Sequence, residues 1–195
     1  PRDYFYVLNL CHQITANNAN QYSCRVDNFM GDCVFLENAS PFDDIKRKSS
    51  MGTHERIMLM LFTLTAIFND IHLLITGCHE MDNTGRVKSL IDSAKIDISF
   101  RAGMEMGEAL IGPLGSRKRK IVTAIGKAVN TASRLESSGI KEGIQISGSI
   151  LDILKDARIT KDTRTIWRII RRKNNQKELG QKDNLNFFDC YKKMF

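Results

Sequence analysis

The pattern of this 195-residue chain predicts an α+β sandwich with a mainly antiparallel sheet. Helix-like and strand-like stretches are interspersed rather than segregated, and hairpin connections dominate the strand regions. Length and a 42% hydrophobic content suit one domain covering residues 1–195, with enough apolar side chains for a full core.

Tyr4, Val7, Leu8, Cys11 and Ile14 recur at three- and four-residue spacing, which predicts an amphipathic helix from Tyr4 to Ile14. Asn17, Asn18 and Asn20 should end it. Tyr22 to Phe29 and Cys33 to Leu36 read as strands joined by a tight Met30-Gly31-Asp32 connection. Glu37 to Thr53 is polar, with Pro41, Asp43-Asp44 and Lys46-Arg47-Lys48, and reads as a loop. A long helix follows from His54 to Ile75 and stops near Gly77. Apolar residues surround most of it, so it belongs in a core or at a subunit interface. Asn83-Thr84-Gly85 is a turn. Ile96 to Met106 alternates as a strand, Gly107-Glu108 turns, and Ala109 to Leu114 returns as a second hairpin. Ile121 to Ile125 is a short strand, Lys127 to Glu136 a helix after Gly126, Gly143 to Ser147 a strand, and Ser149 to Lys155 a helix. Thr165 to Ile170 and Asn186 to Tyr191 pair as a last hairpin.

Charged residues make up 26% of the chain and mean hydropathy is −0.27, which excludes disordered and collagen-like classes. The longest uncharged apolar stretch, Ile57 to Asn69, is 13 residues, too short for a bilayer span, so no integral membrane segment is expected. No secretory pattern opens the chain. Cys11, Cys24, Cys33, Cys78 and Cys190 are odd in number, widely spaced and without CxxC, which points to free thiols in a reducing cytoplasm rather than disulfides or zinc. The net charge of +7 is local: the stretch Arg164 to Lys182 holds seven Lys/Arg against Glu178. Arg117-Lys118-Arg119-Lys120 forms a second basic cluster. Either attracts polyphosphate, nucleic acid or an acidic surface, or is a solvated face. With only Trp167 interleaved, nucleic-acid binding ranks last. His12, His54, His72 and His79 share no metal-ligand spacing.

Three stretches stand out. The first runs Arg101-Ala102-Gly103-Met104-Glu105-Met106-Gly107-Glu108; the second is Gly112-Pro113-Leu114-Gly115-Ser116; the third is Ile125-Gly126-Lys127-Ala128-Val129-Asn130-Thr131-Ala132-Ser133-Arg134-Leu135-Glu136. Together they resemble the hallmark of class III adenylyl/guanylyl cyclase catalytic domains: R-x-G-x-x-x-G, then G-x-x-G-S, then I-G-x-x-V-N-x-A-S-R-L-E. Phe29-Met30-Gly31-Asp32 resembles that family's second metal-binding hairpin, and Ile144-Gln145-Ile146-Ser147 the strand after its catalytic helix. The resemblance runs from Tyr4 to Ser147 and implies a ferredoxin-like βαββαβ core that dimerises head-to-tail.

It further implies a nucleotidyl cyclase. The 3′-hydroxyl of a nucleoside triphosphate attacks the α-phosphate, and pyrophosphate leaves. Two divalent ions, Mg²⁺ or Mn²⁺, activate the nucleophile and neutralise the leaving group. By this resemblance Asp32 holds metal; as plain sequence, Gly31-Asp32 is ordinary turn chemistry. Asn130 and Arg134 lie four apart, on one helix face. The matching family pair contacts the ribose and the α-phosphate, and a guanidinium aimed at developing phosphoryl charge is well placed electrostatically. The plain alternative for Arg134 is pairing with Glu136 or Glu142. Arg101 matches the triphosphate-binding arginine, or else is a solvent-exposed strand-edge residue.

Three departures qualify the match. The family's first metal-binding Asp, in a strand like F-x-D-I-x-G-F-T before the opening helix, has no counterpart here; a strand ahead of Pro1 is expected in the natural protein. Without it the site loses a carboxylate. At the base-reading positions, usually Lys or Glu and then Asp or Cys, stand Asn28 and Thr123. This pair leans against GTP and leaves ATP, or a pyrimidine triphosphate as in bacterial antiphage pyrimidine cyclases. The late phosphate-binding lysine falls on Lys182, with Lys177 nearly as good. The sequence therefore predicts a homodimeric nucleotidyl cyclase with shared active sites. Its rival is a non-catalytic cyclase-homology module for nucleotide binding or dimerisation.

Overall fold

The computed structural model describes residues 2–38, 51–95, 98–156 and 182–186, which form two compact units. The first unit comprises Pro1–Met51 and Met58–Ile98, the second Gly52–Ile57 and Ser99–Phe195.

In the first unit the opening helix α1 spans Arg2–Gln21, running through the asparagines expected to stop it. Asn18 is buried and its amide donates to the Ile14 carbonyl at 3.1 Å and to Asp70 Oδ2 at 2.8 Å. A side chain that ordinarily competes with helical hydrogen bonds is thus satisfied inside the helix. What ends α1 is a left-handed Ser23 (φ 57°), with Ser23 N donating to Asn20 O at 3.2 Å and Cys24 N to Ala19 O at 2.7 Å. This is a Schellman cap built without glycine.

Strands β1 (Arg25–Met30) and β2 (Cys33–Glu37) form the expected antiparallel hairpin, turning at Gly31 (φ 68°) and Asp32. Positive φ at the first turn residue explains the glycine. The register shifts between Val26 and Asn28, a bulge at Asp27. Arg25 closes it, pairing with Asp27 and, at 2.6 Å, with Glu37 directly across the ladder.

Helix α2 (Thr53–Thr76), of which Met58 onward belongs to the first unit, matches the expectation closely and buries Leu61, Leu64, Ile67, Phe68, Ile71 and Leu74. Thr63 lies within hydrogen-bond distance, 3.2 Å, of Cys24 Sγ. By length and composition alone the stretch Thr53–Asp82 is long and apolar enough to cross a membrane, a test that core helices also pass. Within that stretch Asp70 interrupts the uncharged apolar run. A 3₁₀ turn, Glu80–Asp82, leads into α3 (Arg86–Ala94), a helix the sequence reading did not assign. Its N-cap residue, Gly85, has no side chain, and the buried Asp82 caps instead by accepting from Arg86 N at 3.1 Å and Val87 N at 2.6 Å.

In the second unit β3 (Ala102–Met104) lies parallel to β6 (Gly143–Ser147), and β7 (Lys182–Asn186) runs antiparallel on the other edge of β6. Strands β4 (Leu110–Gly115) and β5 (Lys120–Ile125) form a separate antiparallel ribbon. This corrects the expected second hairpin: the strand placed over Ile96 to Met106 is ladder-bonded only over three residues, and it pairs with β6, not β4. The actual hairpin closes at 116–119, where Ser116 N donates to Arg119 O at 2.9 Å and Ser116 Oγ accepts from the Lys118 and Arg119 amides. A serine side chain supplies the local bonds that close this turn. The last expected hairpin lies mostly outside the described residues; within them, β7 ends at Asn186 and its described partner is β6. Helices α4 (Lys127–Ser137) and α5 (Gly148–Asp156) complete the unit. Its core is Met104, Leu135, Ile144, Ile146, Ile150 and Leu154.

The α+β class stands as expected, with the strands divided among two ribbons and one three-stranded sheet. Strand β3 and helix α4 approach closely at Gly103. A Cβ on Gly103 would sit 2.1 Å from the Ala132 carbonyl oxygen and 2.2 Å from Glu136 N. Both are backbone atoms, so the helix itself must move to admit a side chain. Gly103→Ala should therefore destabilise the protein by about 1–3 kcal/mol or prevent folding, read from urea-unfolding midpoints; Gly112→Ala, with open space around it, is the control.

Candidate active site

Helix α4 begins after Gly126, whose carbonyl accepts from Asn130 N at 3.2 Å. Leu135 is its buried anchor, and the helix packs on β3 and β6. Burying that side leaves Asn130 and Arg134 exposed one turn apart on the other. Neither side chain has a hydrogen bond or ion pair among the described residues. The plain alternative of an Arg134 pair with Glu136 or Glu142 is not what the structure shows.

Glu136 pairs with Arg101. Arg101 precedes β3 rather than lying within it, and its Nε donates to Glu136 Oε1 at 2.7 Å. The sequence had flagged Glu136 only as a partner for Arg134; its link to Arg101 depends on the β3–α4 contact, which no local pattern announces. The second unit thus gathers Asn130, Arg134 and, through Glu136, Arg101 around one helix.

Thr123 is half-buried on β5, in register with Gly112. Lys182 opens β7 opposite Ser147, and Lys177 lies outside the described residues.

Asn28 and Asp32 belong to the β1–β2 hairpin of the first unit. Asn28 is half-buried just past the Asp27 bulge, and the neighbouring Phe29 ring stacks at 4.4 Å on His12. The bulge and its Arg25 closure were not read from the sequence. A charged residue at a strand-interior position is the signal that could have revealed them. Asp32 is exposed at the turn and engages no partner among the described residues. That suits one ligand of a divalent ion. Yet among the described residues no group of three or more His, Cys, Asp or Glu could hold a metal, so they do not complete a two-ion site.

The family model of the adenylate and guanylate cyclase catalytic domain matches residues 79–179, just over half of the chain. The chain belongs to this family. The match contains Arg101, Thr123, Asn130 and Arg134; Asn28 and Asp32 lie before it and Lys182 after it. Guanylate cyclase beta of Plasmodium berghei (strain Anka) is 36% identical over 72 residues, 37% of this chain but only 2% of that protein. Among solved structures, the adenylyl cyclase CyaB from P. aeruginosa superposes with a TM-score of 0.56 at 22% identity, covering 78% of this chain and 69% of that one. The guanylate cyclase domain of RhGC from Catenaria anguillulae, solved with GTP, gives 0.57 at 19% identity, covering 80% and 71%. At these identities the structural likeness speaks for the fold alone.

This cyclase-family chain keeps its described cysteines as free thiols. Burial pushes the Cys11 thiol up to about 11, the thiolate being poorly solvated there. Cys33 and Cys78 are exposed. At pH 8, iodoacetamide should label Cys33 and Cys78 well before Cys11, as followed by peptide mass spectrometry; equal rates would mean that Cys11 is open to solvent.

Proposed function

We propose that this chain is a nucleotidyl cyclase catalytic domain that converts a nucleoside triphosphate into a 3′,5′-cyclic monophosphate and pyrophosphate, acting as a homodimer. One observation carries the reading: Asn130 and Arg134, inside the family match, stand exposed and uncommitted on one face of α4. The 3′-oxygen forms a bond to the α-phosphorus, and the bond from that phosphorus to the bridging oxygen of the leaving pyrophosphate breaks. Arg134 offsets negative charge growing on the α-phosphoryl oxygens, and Asn130 orients the ribose. Arg101 and Lys182 hold the triphosphate. Asn28 and Thr123 read the base edge with uncharged hydrogen bonds, which favours ATP or a pyrimidine triphosphate over GTP. Asp32 supplies one carboxylate towards Mg²⁺ or Mn²⁺; such ions, when bound, lower the charge on the phosphates and acidify the attacking hydroxyl.

The β4–β5 ribbon supports the dimer. Leu110, Leu114, Ile121, Val122 and Ile125 are all exposed there, an apolar strip that a second copy of the chain would cover. Free thiols fit a reducing cytoplasmic setting. A non-catalytic homology module is the competing reading, favoured because no group of three or more His, Cys, Asp or Glu among the described residues could hold a metal around Asp32.

Base choice is testable at Asn28. A neutral hydrogen bond nets about 0.5–1.5 kcal/mol, so Asn28→Ala should redistribute activity among ATP, GTP, CTP and UTP, measured with Mn²⁺, more than it lowers the total. A uniform loss removes Asn28 from the base pocket.

The shared site is tested by mixing. Asp32→Ala and Arg134→Ala should each be inactive, and Asp32→Ala should leave stability within about 0.5 kcal/mol, its side chain being exposed at a turn. With verified subunit exchange, random pairing makes half the dimers mixed, each holding one intact site of two. About a quarter of wild-type activity should return. An inactive mixture beside an active wild type means that each site is built from one chain.

A further inference from the structure

We infer that Glu136 is a positioning residue for Arg101, orienting its guanidinium for the polyphosphate of the substrate. The inference rests on the proposed reading that Arg101 binds triphosphate.

The geometry divides the arginine fork between two tasks. Glu136 Oε1 takes only the Nε–H, at 2.7 Å, and no other bond to the Arg101 side chain occurs among the described residues. The four N–H groups on the two terminal nitrogens stay available, enough for a bidentate phosphate contact. An arginine has many rotamers, and freezing it only when substrate arrives costs binding free energy; a carboxylate that already holds Nε removes much of that cost.

Both ends of the pair are themselves fixed. On the arginine side, the Phe100 carbonyl accepts from Glu142 N at 2.6 Å, and Ala102 is in register with Ile144. Arg101 is therefore tied to backbone on each flank. On the glutamate side, the missing Cβ of Gly103 lets Glu136 N come within 2.2 Å of where that atom would lie. The second carboxylate oxygen, Oε2, is 3.1 Å from Ser137 Oγ. The side chains of Arg101 and Glu136 remain 41% and 32% exposed, so the pair contributes little to stability. Its value lies in where it leaves the free nitrogens.

The test is a double-mutant cycle read by calorimetric binding of inorganic tripolyphosphate to the full chain. Arg101→Ala should abolish or strongly weaken binding. Glu136→Ala should weaken it about tenfold with little change in melting temperature. Glu136→Gln, which keeps an oxygen for Nε, should fall between it and wild type, and it stands in for the alanine variant if that fails to fold. The double variant should bind no worse than Arg101→Ala alone. Additive losses, unchanged binding or tighter binding in Glu136→Ala, or no effect of Arg101→Ala, would each overturn the proposal. Absence of tripolyphosphate binding by wild type would do so too. Binding that follows the cycle in a protein that makes no cyclic nucleotide defeats the proposed function and leaves this inference intact. A cyclising wild type whose KM is untouched by Glu136→Ala does the reverse.

Discussion

The close approach of β3 to α4 at Gly103 is the contact on which the second unit depends. A side chain there would collide with the backbone of Ala132 and Glu136, so strand and helix leave no room for one. Three consequences follow from that one constraint. Leu135 is pressed into the core, which forces the opposite face of α4, with Asn130 and Arg134, towards solvent. Glu136 is brought to Arg101. And β3 is held alongside β6 in a parallel pairing, separated in sequence by the whole β4–β5–α4 crossover.

Asp32, Asn130 and Arg134 contrast with the buried polar groups. Two buried polar groups are used structurally: Asn18 bridges α1 to Asp70, and Asp82 caps α3. Glu105 Oε1 gathers the hydroxyls of Ser147 and Ser149 at 2.6 and 2.9 Å. Asp32, Asn130 and Arg134 engage no such partner among the described residues and are exposed. Stability gains little from such side chains. Arg101 is intermediate, with one edge spent on Glu136 and the other free.

Sequence by itself determined the elements that carry strong local patterns. The long apolar run of α2, the helix α4 after Gly126, the Gly31-Asp32 turn and the Gly143–Ser147 strand were all readable because local propensity and burial agree there. So was the family, through the run from Ile125 to Glu136 and its preceding Arg101 and Gly103. Asn130 and Arg134 could be placed on one face from spacing alone.

Tertiary structure decided the rest, and in each case a distant group overrode a local signal. Asparagines that read as a helix stop became helix because Asp70, 52 positions away, takes the Asn18 amide. The partner of β3 is β6 rather than β4 because strand pairing is settled by long-range packing, while only turn chemistry is local; Ser116 closed a different hairpin. α3 escaped notice because its cap, Asp82, sits outside the usual N-cap position. Glu136 joined Arg101, 35 positions earlier, instead of a neighbour on its own helix. Periodicity reports which face of an element is buried; only the folded chain determines what that face meets.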